Sequence, residues 1–481
     1  MPDYGEDIIS LSLKAAYDAI YRGKINPKDI DAVFVGTETM TYSVKSVSNI
    51  LVDLLGVSKN CLTQDIYNAC AAQTLAILNA IALVEKGIIN KALVIGADIS
   101  YYEIGEPSEL TQGSGAVALI ISKEPRLVKF SKDIGKVSSN INDFFRPANE
   151  INAQVFGKYS IKSYLNFQID AYDDLISQVG EFYADHYLFH APYAKLPIKC
   201  MEQIIIKRML KNPDLTLNNE LNEDLVSLSN KIYGFVQSIS LNSDSFHIDN
   251  DTKDLNSDWI ESHFKERVFP PLKIPLSFGN MYSASIWAQL LYILESSAKK
   301  NDIIYFGSYG SGATCISGLL KVKATLKSDS ILQYYFRNKI KRNINEYENI
   351  RKGLIKPRFL YGFIDAHEKS KDVGIFLHFC NEGCIIPSYR GLDYCPKGHE
   401  GLNRKFFPLY ARLTSDPLKS CEPYNELNKF NLVKIAHDSK RDSLLELHVR
   451  RIEDECDTNT RVKGLLNWIP IYVPTNRLNE M

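Results

Sequence analysis

Four short, unbroken apolar runs, each set between stretches of helical periodicity, constrain this chain more than any other feature. They are Ala32-Val33-Phe34-Val35-Gly36, Ala92-Leu93-Val94-Ile95-Gly96-Ala97-Asp98, Tyr187-Leu188-Phe189 and Ile303-Ile304-Tyr305-Phe306-Gly307. A strand without a polar face must be covered on both sides, which is the situation of a mostly parallel sheet between helical layers. Helical periodicity fills the intervals: residues 8–23 (Ile8, Leu11, Leu13, Ala16, Ile20), 45–56, the stretch after Cys70, 162–185, 193–209 and 285–297. A further apolar run at 113–121 reads as a strand, and the alternation begins again near residue 160. Two consecutive α/β halves point to an internal duplication with a site at the seam.

Two residues stand where such a site would be. Tyr67-Asn68-Ala69-Cys70-Ala71-Ala72-Gln73-Thr74 puts a lone cysteine at the mouth of an apolar helix. Unsatisfied N–H groups and a partial positive charge at a helix start lower a thiol pKa and stabilise an oxyanion. Taken alone, a cysteine there is as well explained as a small buried hydrophobe. Far downstream, Phe189-His190-Ala191-Pro192-Tyr193-Ala194-Lys195-Leu196 ends an apolar strand in a histidine and opens a helix. A Cys and a His, each presented at a strand-to-helix turn, can converge on one thioester.

Composition removes several alternatives. With 56 basic and 57 acidic residues in 481, the net charge of −1 supplies no global field for nucleic acid or an anionic membrane. A 45% hydrophobic and 23% charged content is that of an ordinary globular chain. No apolar run approaches the roughly 18 to 20 residues of a membrane span, and no signal-peptide pattern opens the chain, so a soluble, cytoplasmic protein is expected. Nine cysteines, an odd number, argue against a secreted disulfide framework.

Five separated motifs, taken in order, resemble the 3-hydroxy-3-methylglutaryl-CoA synthase family of thiolase-like condensing enzymes over about residues 5–325. They are Val35-Gly36-Thr37-Glu38-Thr39, Asn68-Ala69-Cys70, the His190 segment, Gly279-Asn280-Met281-Tyr282-Ser283 and Ser308-Tyr309-Gly310-Ser311-Gly312; Asn142-Asp143-Phe144-Phe145-Arg146-Pro147 looks like a sixth. The resemblance implies a thiolase-like α/β fold of duplicated α/β/α/β/α layers. Its halves are expected at 1–158 (Glu38, Cys70) and 159–325 (His190, Asn280), followed by a basic helical linker at 326–358 and a β-rich accessory domain at 359–481.

The implied reaction joins acetyl-CoA to acetoacetyl-CoA through an acetyl-Cys70 intermediate and releases HMG-CoA by hydrolysis, in the mevalonate route to isoprenoids. Glu38 is then the acid/base that takes the methyl proton, and His190 hydrogen-bonds the developing alkoxide. The Cys70 thiolate is expected to be favoured by the helix start and by His190. Asn280, Tyr282, Ser311 (through nearby backbone N–H groups) and Lys195 (through a CoA phosphate) are expected to bind substrate. Lys195 is expected about one and a half turns into its helix. No cofactor is required for catalysis; a homodimer and an acetoacetyl-CoA thiolase partner are implied, with neither nucleic acid nor membrane. Two rivals are another thiolase- or ketoacyl-synthase-type acyltransferase and a noncatalytic thiolase-fold scaffold that binds acyl-CoA or a partner enzyme. Glu38 in its Gly-Thr-Glu setting favours the synthase over the first.

Departures from the family pattern carry expectations too. The family's first sheet begins with a strand ahead of the helix at 8–23. Its loss is expected to leave a gap inside the sheet with an unpaired edge on each side. Tyr42 stands where animal members have Asp, as in archaeal members, and Val155-Phe156-Gly157 lacks an Asp usual in the animal type.

In the C-terminal third, Cys380, Cys384, Cys395 and His399 form C-x3-C-x10-C-x3-H. Four such ligands can close a tetrahedral structural zinc site, although the spacings are looser than standard knuckles; unliganded buried thiols, or a redox pair, are the alternatives. The tail faintly resembles a zinc-ribbon and OB-fold module, and residues 460–469 a β-barrel segment of glutaminyl-tRNA synthetases; both point to a small barrel.

Overall fold

A computed structural model of the chain describes residues 7–211 except 148, 149 and 151, then 225–241, 246–248, 258–326, and 330–348 except 340 and 346. Beyond these it describes chiefly the strands named below. Two units result, Met1–Ile350 and Arg351–Met481.

The larger unit opens with α1 (Ile8–Gly23), whose start is set by a capping box: Asp7 accepts from the amides of Ile9 and Ser10, and the Ser10 hydroxyl reaches back to Asp7. There follow β1 (Ala32–Gly36), α2 (Val47–Leu54), β2 (Leu62–Ile66), α3 (Ala72–Glu85), β3 (Lys91–Ile99) and β4 (Ser114–Ser122). Their sheet runs β2-β1-β3-β4, with β1 parallel to both neighbours and β4 antiparallel to β3. The gap expected inside this sheet does not exist: β1, β3 and β4 pair without interruption.

The second sheet is built from β5 (Val128–Ser138), then, after the two-residue hairpin strands β6 (Phe144–Phe145) and β7 (Gln154–Val155), from later elements. These elements are α4 (Gly157–Val179), β8 (His186–Phe189), α5 (Lys195–Lys211), α6 (Leu225–Ser238) and the paired β9 (Ile239–Leu241) and β10 (Phe246–Ile248). Next come α7 (Asp258–His263), α8 (Lys273–Phe278), α9 (Ser285–Glu295), β11 (Ile303–Gly310), β12 (Thr314–Val322) and α10 (Leu332–Arg337). The strand order is β5-β12-β11-β8, with β8 parallel to β11 and the other pairs antiparallel. Because β5 belongs to this sheet, the halves divide between β4 and β5, ahead of the expected boundary at 158.

Five layers stack as the resemblance implies. Helices α3 and α9 lie between the sheets, where Ala76, Ile77, Ala80 and Trp287 pack with Phe34 of β1 and Phe306 of β11. A helix enclosed on both sides needs no polar face, which explains why α3 is apolar nearly all round. Helices α4, α5 and α6 cover the other face of the second sheet through Tyr172, Leu175, Ile198, Ile204 and Phe235. The polar segment 212–256, which as sequence reads as an insertion of surface helices and loops, contributes Ile232, Phe235 and Ile239 to the core. The basic helical linker expected at 326–358 is represented, among the described residues, chiefly by α10, six residues long.

The described part of the smaller unit is chiefly antiparallel strand. β13 (Gly374–Phe379), β14 (Ile385–Ser388) and β15 (Asn403–Pro408) form one sheet in the order β14-β13-β15. β16 (Ala411–Leu413), β17 (Asn431–His437), β18 (Leu444–Val449), β19 (Thr460–Val462) and β20 (Tyr472–Pro474) form another, ordered β18-β17-β16-β19-β20. Cys380, Cys384, Cys395 and His399 lie outside the described residues.

Candidate active site

Glu38 and Cys70 meet at the carboxyl-terminal ends of the first sheet's parallel strands, where open α/β sheets place ligands. The Cys70 thiol donates to Glu38 Oε2 at 3.6 Å, and both residues are buried. The turn that presents the cysteine is wedged between the two halves. A Cβ on Gly36, at the end of β1, would lie 2.3 Å from the Gln73 amide, and one on Gly310, at the end of β11, 2.8 Å from the Ala71 amide. Only glycine lets both strands approach the start of α3 this closely. Ala69, just before the cysteine, is held at φ +43°, a left-handed conformation that costs a non-glycine residue on the order of 1 kcal/mol.

Asp98, at the end of β3, organises the surroundings. Its Oδ1 accepts from the Thr37 hydroxyl (2.9 Å), the Glu38 amide (2.8 Å), and the Thr39 amide and hydroxyl (3.1 and 2.9 Å). Its Oδ2 accepts from the amide and hydroxyl of Ser283 in the second half (3.0 and 2.5 Å). Burial still pushes its carboxyl above the usual range, against these donors. On the other side of Glu38, Arg146 donates to the Glu38 carbonyl oxygen at 2.5 Å. Neither Asp98 nor Arg146 was singled out by the sequence reading. A charged residue ending an otherwise apolar strand is the signal that could have marked Asp98, because a buried carboxylate must collect donors.

The electrostatics correct one expectation. The Cys70 thiol is not acidified; it is pushed well up, first by burial, then by the Glu38 and Asp98 carboxylates. Cys70 precedes the first turn of α3 and spends its hydrogen bond on a carboxylate, which opposes the thiolate. Glu38 itself is raised to about 8, chiefly by burial and next by Asp98, with Arg146 and the Cys70 hydrogen bond pulling the other way.

Around the pair, Tyr102, Tyr282 and Phe144 form an aromatic wall, with the Phe144 ring edge-on to Tyr102 (6.4 Å) and to Tyr282 (5.9 Å). Tyr282 sits at φ +44°, its amide bonded to the Asn280 side-chain oxygen at 3.0 Å, and the Asn280 amide donates to Thr111 O at 2.8 Å. Asn280 and Tyr102 are also hydrogen-bonded, so Asn280 and Tyr282 both border the site.

His190 follows β8 and is 2% exposed; its amide donates to Gly307 O at 2.9 Å and its carbonyl accepts from the Tyr164 hydroxyl at 2.6 Å. The β8–β11 register sets Phe189 beside Gly307, so His190 lies at the level of Ser308, whose hydroxyl accepts from Thr74 at 2.7 Å one turn beyond Cys70. His190 therefore belongs to the same end of the molecule as the cysteine. Burial alone pushes its pKa down to about 3, so the imidazole is neutral and cannot act as a cationic partner for the thiolate. Lys195 is half-buried as the first residue of α5 rather than more than a turn into it. Ser311 follows β11, hydrogen-bonded to Tyr309. Among the described residues no cluster of His, Cys, Asp and Glu could hold a metal ion.

Comparison with known proteins bears on this geometry. Residues 2–125 match the family described as hydroxymethylglutaryl-coenzyme A synthase N terminal, and residues 133–353 the one described as its C terminal. The chain is 32% identical over 203 residues to the hydroxymethylglutaryl-CoA synthase of Pyrobaculum calidifontis, 42% of this chain and 58% of that one. It is 28% identical over 335 residues to synthase A of Dictyostelium discoideum, 66% of each, and 27% identical over 380 residues to synthase 2 of Blattella germanica, 72% and 79%. The matches to the Pyrobaculum calidifontis and Pyrobaculum aerophilum relatives thus span 58% and 62% of their length. A structure titled MvaS in complex with 3-hydroxy-3-methylglutaryl coenzyme A superposes with a TM-score of 0.61 at 24% identity, covering 73% of this chain and 81% of that chain. The curacin biosynthetic HMG synthase in complex with acetyl donor-ACP gives 0.58 at 22%, covering 72% and 77%. At these identities the structures establish the thiolase-like fold.

Proposed function

Because the chain belongs to the hydroxymethylglutaryl-CoA synthase family, we propose that it condenses acetyl-CoA with acetoacetyl-CoA to HMG-CoA, as an acyltransferase of the mevalonate route. The observation that carries the reading is the buried Cys70–Glu38 pair, a nucleophile hydrogen-bonded to a carboxyl tuned to about 8. A base poised near working pH and a thiol within its reach are what a two-stage thioester condensation needs.

In the first stage Cys70 Sγ attacks the thioester carbonyl of acetyl-CoA and its proton leaves with the CoA thiol. Acetylation removes the thiol, and the Glu38 carboxylate then takes a proton from the acetyl methyl. The enolate adds to the ketone of acetoacetyl-CoA, and Glu38 returns the proton to the new alkoxide. His190, neutral, donates an N–H hydrogen bond to that oxygen instead of a full proton. Water cleaves the Cys70 thioester to release HMG-CoA. Backbone N–H groups at Cys70 and near Ser311 serve the oxyanions, Asn280 and Tyr282 line the acyl pocket, and Lys195 meets a CoA phosphate. These are proton transfers and thioester exchanges, so this mechanism calls on no cofactor; zinc at Cys380, Cys384, Cys395 and His399 is proposed as structural only.

The assembly proposed is a homodimer joined along the outer edge of β2, where Leu62 and, just beyond the strand, Tyr67 are 46% and 63% exposed. An acetoacetyl-CoA thiolase would supply the second substrate. No described helix is long and apolar enough to cross a membrane, in keeping with a cytoplasmic place. Incubation with radiolabelled acetyl-CoA tests the reading: label that survives denaturation on wild type and is absent from Cys70→Ala is the expected result. No label on either protein would leave the noncatalytic acyl-CoA scaffold.

A further inference from the structure

We propose that Arg146 is a positioning residue for Glu38, fixing its peptide and counterbalancing Asp98 so that the carboxyl serves as a base near neutral pH. This deepens the reading above and rests on it for the identity of the reaction.

The Glu38 peptide is held at both polar ends. Its N–H is fixed by Asp98 at 2.8 Å, and its C=O by Arg146 at 2.5 Å. One anchor is anionic and reached from β3; the other is cationic and reached from the β6–β7 hairpin. That hairpin is itself seated on the site: Phe144 packs edge-on to Tyr102 and Tyr282, and Phe145 stacks on Phe156 at 6.0 Å on the outer side. The guanidinium is thereby delivered to the Glu38 carbonyl by aromatic packing on both flanks. A charge-assisted bond of this length is of the strong kind.

The titratable groups that act on Glu38 come from four directions. Asp98 from β3 raises its pKa and Arg146 from the hairpin lowers it. The Cys70 thiol, ahead of α3, lowers it through the hydrogen bond. Tyr102 and Tyr282 face it as neutral phenols, their own pKa values pushed up by burial. Arg146 is the one cation in this set. Loss of its charge leaves Asp98 unopposed, so the Glu38 carboxyl rises further and its base form is reached only at higher pH.

The test compares Arg146→Gln with Arg146→Lys, using Arg146→Met as a second charge-free variant in case glutamine fails to fold. Two readouts are taken: the pH profile of condensation, and an infrared titration of the Glu38 carboxyl, isolated by subtraction of Glu38→Gln. In Arg146→Gln the infrared midpoint is expected about one pH unit above wild type, with condensation at pH 7 reduced about tenfold and recovering at higher pH. Arg146→Lys is expected to return the midpoint to the wild-type position. A midpoint unmoved in the charge-free variants overturns the proposal, even if turnover falls. A shifted midpoint in a chain whose wild type condenses nothing would uphold the effect of Arg146 on Glu38 and sink the synthase reading instead.

Discussion

β1 and β8 hold matching places in the two sheets, each parallel to a central strand (β3, β11) that pairs on its other side with an antiparallel one (β4, β12). Each is followed by a buried titratable group, Glu38 after β1 and His190 after β8. Burial drives both toward neutrality, but the outcomes differ in kind: the acid is raised to about 8 and the base lowered to about 3. Glu38 lies within a set of charges, Asp98 against Arg146, whereas burial alone accounts for His190. One scaffold thus yields a group that changes protonation near working pH and another that remains a fixed hydrogen-bond donor. The halves also brace each other unequally: the first sends a carboxylate, Asp98, to Ser283, and the second returns a hydroxyl, Ser308, to Thr74.

That inequality is open to direct attack. Asp98→Asn breaks a buried network that joins Thr37, Glu38 and Thr39 to Ser283, and is expected to destabilise the larger unit by on the order of 3 kcal/mol in denaturant titration. Condensation should fall with it. An asparagine variant as stable as wild type would remove Asp98 from its place as the tie between halves.

The two titratable groups should show opposite pH dependences of stability. Glu38 has its folded pKa raised above 4.5, so the full contribution is present below that value and is lost as pH rises through about 8. His190 has its folded pKa depressed below 6.5, so its contribution is complete above 6.5 and is lost as pH falls through about 3. Glu38→Gln is therefore expected to be more stable than wild type by on the order of 2 kcal/mol at pH 8 and no different near pH 4. His190→Gln should gain about as much at pH 4 and nothing at pH 8. Chemical denaturation at the two pH values reads both, and parallel gains for the two variants would refute the contrast. Smallest of all, Ser308→Ala removes one hydroxyl acceptor and should cost about 1 kcal/mol.

Much of this was legible because chemistry and strand ends coincide in the sequence. Unbroken apolar runs gave β1, β3, β8 and β11, and the residues just past or beside them include Glu38 and His190. What could not be read is non-local. β5 escaped notice because its alternation is interrupted: Phe130 faces Leu320 and Ile134 faces Gly318, so the three residues between them on β5 oppose the single Leu319 of β12. The placement of the seam at 158 followed from that omission. The direction of the Cys70 shift was misread for a similar reason. A helix start is visible in sequence, whereas the carboxylates of Glu38 and Asp98 arrive from strands 32 and 28 residues away. Arg146, in a hairpin more than a hundred residues from Glu38, carries no local sign of its target.

The division of labour between Cys70 and Glu38 is tested most directly by incubating Glu38→Ala with labelled acetyl-CoA and then chasing with acetoacetyl-CoA. Removing the carboxylate removes one of the charges that raise the thiol, so acylation should persist. Condensation, deprived of its base, should slow about a thousandfold, leaving acetyl label trapped on Cys70 through the chase. A variant that takes up no label, or one whose label is discharged into product at the wild-type rate, would contradict the account.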